Sequence, residues 1–193
     1  MYERKKSMPS YSPEDLIVKQ RHQLLLGAVG PRPIALVSTV DEFGAPNLSP
    51  YSFFNIFSSN PPTLIFSPAR RVRNNTTKDT LHNALSQKEV VVNVVNYDMV
   101  QQVNLSSAEY DSGVDEFVKS GFTKVASEVV APPRVLESPV SLECIVKDVV
   151  ELGQEGGAGN LVICEIKRIH VADNVVSEEG GLDQDALDLV GRM

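Results

Sequence analysis

The chain has 193 residues but only two cysteines and three histidines, no long apolar run and no excess of positive charge. Each shortage removes a class of function. His22, His82 and His170 are isolated, and no pair has ligand spacing on one element, which argues against a metal site. No Gly-x-Ser-x-Gly elbow occurs, and no cysteine–histidine couple can be argued. Cys144 and Cys164 lie in apolar, strand-like stretches. They could be bridged, but buried free thiols are the simpler reading. The formal charge of −7 disfavours nucleic acid, whose phosphates would repel the chain, and an anionic membrane surface alike. Apolar runs such as 34–37 and 90–92 are far too short to span a bilayer. Residues 1–12 are polar and partly basic, and no apolar stretch follows that would make a signal peptide. The expected location is therefore the cytoplasm, without a membrane or nucleic-acid partner.

What is present is an ordinary globular balance, 42% apolar against 22% charged. The length suits one core and is too short for two domains with a linker. The expectation is one domain over residues 1–176, its first twelve flexible, followed by an acidic tail over 177–193. Within that tail Leu182, Ala186, Leu187 and Val190 form one short apolar pattern. Ser12-Pro13-Glu14-Asp15 reads as a helix start, with the helix ending near Gly27.

From Pro33 the character becomes β. Residues 34–40 are rich in β-branched side chains, and Asp41-Glu42-Phe43-Gly44 is a hairpin turn. Residues 51–57 read as an aromatic strand that Asn60-Pro61-Pro62 ends, and 63–67 as the next strand. Helices are expected over 76–85 and 98–105, with a helical turn inside the polar stretch 106–120. Two long strands, 140–152 and 161–171, flank a glycine-rich hairpin tip. Some six strands with a few short helices predict a mainly β fold, a closed or nearly closed antiparallel barrel.

Two segments could carry chemistry. Asn47-Leu48-Ser49-Pro50-Tyr51-Ser52 follows a turn and precedes an aromatic strand. Its main chain could bond the polar rim of a flat ligand, or it could be a plain bulged strand crossing. Residues 67–80 gather Arg70, Arg71, Arg73 and Lys78 with Thr76, Thr77 and Thr80 at a predicted helix start. That reversal of the local charge suits a phosphate monoester, although no glycine-rich phosphate loop accompanies it. His170, at the end of a long strand, could rim a barrel mouth or simply lie on the surface.

Read together, the segments resemble the flavin reductase-like family, whose fold is the FMN-binding split barrel. The resemblance rests on Gly30-Pro31-Arg32-Pro33-Ile34-Ala35-Leu36-Val37-Ser38-Thr39, on Asn47-Leu48-Ser49-Pro50-Tyr51-Ser52-Phe53-Phe54-Asn55, on Asn60-Pro61-Pro62 and on Lys78-Asp79-Thr80. It runs from about Gly27 to Val171. It implies a homodimer with flavin mononucleotide (FMN) near the subunit interface. The flavin ring would lie along Ser49, Pro50, Tyr51, Ser52 and Asn55, with Phe66 and Ser67 beside it. Lys78, Asp79 and Thr80 would hold the phosphate, with Arg73 nearby. His170 resembles a histidine that some relatives place by the nicotinamide. The implied activity is reduction of FMN by NADH or NADPH, the hydride going to flavin N5. The electrons would pass to a small-molecule acceptor or a partner monooxygenase. The alternative is a flavin-binding carrier, sensor or electron-transfer protein without hydride chemistry.

Overall fold

The computed structural model describes residues 9–111 and 113–193. Residues 1–8 of the expected flexible start, and Ser112 of the 106–120 stretch, lie outside the described residues. Chain order runs α1 (Val18–Ala28), β1 (Arg32–Pro33), β2 (Ala35–Val40), β3 (Pro46–Tyr51), β4 (Phe54–Ser59) and β5 (Pro62–Phe66). It continues α2 (Asp79–Gln87), β6 (Glu89–Val94), α3 (Val100–Ser106), α4 (Glu116–Ser120), β7 (Lys124–Val125) and β8 (Arg134–Val135). Then come the long pair β9 (Val140–Glu151) and β10 (Asn160–Val171), and finally α5 (Gln184–Leu187) and β11 (Gly191–Arg192).

Seven strands form one antiparallel sheet in the order β3-β2-β6-β9-β10-β5-β4. The two edge strands, β3 and β4, are consecutive in sequence and joined only by Ser52 and Phe53. Laid flat, a seven-stranded sheet would hold its edges roughly 29 Å apart at about 4.8 Å per neighbour. The link from Tyr51 to Phe54 can span about 11 Å at most. The sheet must therefore curl until its edges meet. No ladder joins β3 to β4, so the barrel is left split along that seam.

Alternation along β2 shows how the walls are filled. Ala35 and Val37 face the barrel interior with Tyr51, Phe66, Val92 and Leu142. Leu36 faces outward and packs with Leu48, Met99, Phe117 and Val135 beneath α3 and α4. Both faces of β2 are covered, which is why it reads as an unbroken apolar run. Its turn to β3 is fixed by Asp41, whose Oδ1 accepts from the Phe43 and Ala45 N–H groups at 2.9 and 2.8 Å. Gly44 supplies the left-handed residue, with φ at 82°. Cys144 and Cys164 are free thiols in the barrel core, and burial pushes Cys164 up to about 12 and Cys144 well up.

Three expected elements fall differently. The first helix does not start at Ser12, whose side chain makes no capping bond. A single 3-10 turn at Pro13–Asp15 ends in extended Leu16, and α1 begins afresh after Ile17, whose N–H donates to the Gln20 side chain. The aromatic stretch 51–57 is not one strand, because Ser52–Phe53 is where the chain crosses from one sheet edge to the other. Helix α2 begins at Asp79 rather than Thr76, because Arg71 captures the carbonyls before it. The Arg71 main-chain N–H donates to Thr76 O at 2.9 Å, and its guanidinium donates to Thr77 O at 2.5 Å.

Residues 177–193 fold back onto the barrel. Leu187 is buried in its core, Leu189 bridges Asn96, and β11 pairs with β1. Among the described residues no helix is long and apolar enough to cross a membrane.

Candidate functional site

The seam between β3 and β4 is flanked by two hollows. The first, about 430 Å³, is lined by Pro50, Tyr51 and Ser52, by Asn104 of α3, and by Gly191 and Arg192 of β11. The second, about 340 Å³, is lined by Arg32, Ser52, Phe53, Asn55, Phe57 and Ser67. Ser52 lines both. Of the ring-binding residues expected from sequence, Pro50, Tyr51 and Ser52 line the first hollow and Ser52, Asn55 and Ser67 the second, while Ser49 and Phe66 line neither.

Tyr51 ends β3, packs in the barrel core and lines the first hollow. Its ring lies 5.6 Å from Phe66 and carries the Lys78 ammonium 5.0 Å from its centroid, a cation–π pair. Its hydroxyl is buried without a hydrogen bond among the described residues, and burial pushes it up to about 12, against the pull of nearby Thr80 and Ser49. Burial also lowers Lys78, Arg71 and Arg192 add to that, and Glu109 opposes it. Among the described residues Arg71, Lys78 and Arg192 form no ion pair with a carboxylate, whereas Arg73 pairs with Glu109 at 3.5 Å on the open surface.

Several expected site residues are occupied elsewhere. The Thr80 hydroxyl is buried and donates to Asn47 Oδ1 at 2.6 Å. Asn47 in turn donates to Glu116 of α4, which also accepts the Leu48 N–H. This network ties α2, β3 and α4 together, so the polar stretch 106–120 braces the start of the site strand. Phe66 is wholly inside the barrel and backs Tyr51. Asn55 Oδ1 accepts the neighbouring Ile56 N–H. Ser67 is buried, its N–H on Phe53 O at 2.8 Å, which pins the seam residue Phe53 to the end of β5. Asp79 opens α2.

The family model described as "Flavin reductase like domain" matches residues 28–187. The chain belongs to the flavin reductase-like family. An uncharacterized protein of Halalkalibacterium halodurans is 39% identical over 184 residues, 94% of this chain and 87% of that protein. Among solved structures, nitrilotriacetate monooxygenase component B from Bacillus cereus superposes with a TM-score of 0.88 at 32% identity, covering 97% of this chain and 94% of that one. A Shewanella frigidimarina chain with a split barrel domain gives 0.79 at 26% identity, covering 96% and 92%. The mainly β split barrel is thus the fold of this flavin reductase-like chain, and flavin-related oxidoreductase chemistry comes with the family.

In this flavin reductase-like barrel His170 is not brought to the seam. A lateral row of paired residues runs His170, Ser141, Asn93, Leu36, Pro50 across five strands. His170 is thus four strands from Pro50 around the wall. It lines neither hollow. Its Nε2 bonds Glu143 Oε1 at 2.6 Å instead. Glu143 is wholly buried and accepts the Glu128 and Val129 N–H groups at 2.8 and 2.7 Å. Nothing local in the sequence marks this pairing, since the partners lie 27 residues apart on neighbouring strands. Arg192 is a single cation beyond an acidic stretch, within Gly191-Arg192-Met193, a run that resembles one in flavin reductase-like relatives but for which sequence alone predicts no site role. The apolar pattern ending at Val190 docks the tail that carries it.

Proposed function

We propose that the protein is an NAD(P)H-dependent flavin reductase that holds FMN at the seam between β3 and β4. One observation carries this reading: in a chain of net charge −7, Arg192 lines an apolar hollow at Tyr51 and Ser52, Lys78 stacks on that Tyr51, and neither cation is in an ion pair among the described residues. Cations gathered on one side of an otherwise acidic chain favour an anionic ligand there. The donor set fits a phosphorylated flavin. A volume of about 430 Å³ lies within the usual range for a small-ligand site. The first N–H groups of α2 and the Lys78 ammonium suit a phosphate. Main chain at 50–52 would run along the ring's polar edge.

A bound flavin would itself supply the hydride chemistry. The protein's own part is placement. Lys78, stacked on Tyr51, fixes one end of the ligand. Tyr51 stays neutral because its hydroxyl titrates at about 12, so it offers surface rather than a proton. Among the described residues no acidic or histidine side chain lines the first hollow, so its walls contribute orientation and positive potential, not acid–base exchange. Electrons would leave to a small acceptor or, as the likeness to a monooxygenase component suggests, to a partner monooxygenase. Anaerobic mixing of the FMN-loaded protein with NADH or NADPH is expected to bleach the oxidised flavin band. A band unchanged by both donors would favour a flavin carrier instead.

The same reading includes a homodimer. Phe57 is 65% and Leu25 64% exposed, and Val29 and Phe53 stand open around the second hollow. Covering such an apolar patch is the usual reason for it to exist. Sedimentation equilibrium is expected to return twice the chain mass, and a monomer at micromolar concentration would count against it.

A further inference from the structure

Arg192 sits where no part of the binding motif read from sequence would put a cation. It lies on β11, paired with Arg32 on β1. Two features fix that strand. Leu187 is buried in the barrel core, five residues earlier. Gly191 lies flush on Pro31, where an added Cβ would come within 2.7 Å of the Pro31 Cβ. The strand therefore forms a wall of the first hollow opposite the end of β3, and the Arg192 side chain has no carboxylate partner among the described residues. Its charge is felt at Lys78, which stacks on Tyr51 of the other wall. Arg192 thus lines the hollow on whose other wall Tyr51 carries Lys78, and neither cation is in an ion pair among the described residues.

We infer that Arg192 is a ligand for the phosphate group of the flavin, gripping it from the wall opposite Lys78. The inference rests on the flavin reading above and adds a residue and a division of labour to it. A phosphate monoester carries close to two negative charges at neutral pH. It is the part of the ligand that two opposed cations serve best, and a guanidinium can bond it through two parallel N–H groups. The neutral ring needs no cation to be seated. The tail after α5 thereby becomes part of the binding site rather than a cover for the barrel end.

The test compares FMN with riboflavin, which has the same ring and no phosphate, by fluorescence titration of wild type, Arg192→Gln and Arg192→Lys. The glutamine variant is expected to bind FMN about tenfold more weakly or worse, the scale of one lost charge-assisted bond. Its riboflavin affinity should move less than about twofold. The lysine variant, which keeps the charge and the stem packing, should stay within about threefold of wild type for FMN. Equal losses for both flavins in the glutamine variant would make Arg192 a ring or wall residue and overturn the inference, as would unchanged FMN affinity. If wild type binds neither flavin, the flavin reading itself falls. Wild type binding FMN while Arg192→Gln does so equally well sinks only the role of Arg192. Melting curves of both variants separate a lost ligand from a lost strand: an Arg192→Gln protein that melts early and loses both flavins counts against the inference.

Discussion

Replacing Arg71 and Lys78 together by alanine is expected to weaken FMN binding by at least a hundredfold while leaving the barrel folded. Each residue would give the phosphate a charge-assisted bond of about 1.5–3 kcal/mol, so losing two removes about 3 kcal/mol or more. The sequence motif points to Thr80 as Lys78's partner. Thr80 is the poorer choice, because its hydroxyl already donates to Asn47 and its loss would loosen α2 from β3. Arg71 is the better one, since it is among the groups that depress Lys78. It also bonds the loop before α2, so the single variant Lys78→Met serves as control for loop damage. Isothermal titration with FMN measures the effect. Affinity within about threefold of wild type in the double variant would remove the phosphate from this end of the site.

The second large effect is on stability. Glu143→Ala is expected to destabilise the protein by about 3–5 kcal/mol, the usual result of stripping one partner from a buried ionic cluster. It would leave the His170 ring and the Glu128 and Val129 N–H groups without their shared acceptor, and Arg134 without its ion pair at 3.8 Å. Thermal melting should fall by roughly 10 °C for a chain of this size. The carboxylate also predicts a pH dependence. Burial pushes Glu143 up, but the bonds from Glu128, Val129 and His170 outweigh it and hold the carboxyl below the ordinary range. A carboxyl that is more acidic folded than unfolded adds stability that is complete above its unfolded value. That stability drains away as pH falls through the lowered folded value. Urea midpoints measured between neutral pH and the acid range should therefore fall less steeply for Glu143→Gln than for wild type. Identical slopes would mean that Glu143 does not carry the acid sensitivity.

Much of the barrel is legible in the sequence because its strands follow local rules. The Asp41–Gly44 turn, the β-branched run of β2 and the glycine-rich tip between β9 and β10 each declare themselves within a few residues. What stays hidden depends on partners far apart in sequence. The break at Ser52–Phe53 follows from closing a sheet whose edges are consecutive strands, and no local pattern records that. The late start of α2 follows from Arg71 capturing carbonyls ahead of the helix. His170 is conspicuous for its position at a strand end, while its ring is claimed by Glu143 across the β9–β10 ladder. The site strand itself is visible through its proline and small hydroxyl residues, but not the division of its residues between two sides of a seam.

Ser52 borders both hollows, and Phe53 beside it opens onto the second. If nucleotide fills one and a second copy covers the other, the two events share a single link of chain. Their free energies are then coupled, and such coupling runs both ways: a bound flavin that tightens subunit association must itself be held more firmly by the associated form, and dilution to single subunits would loosen it.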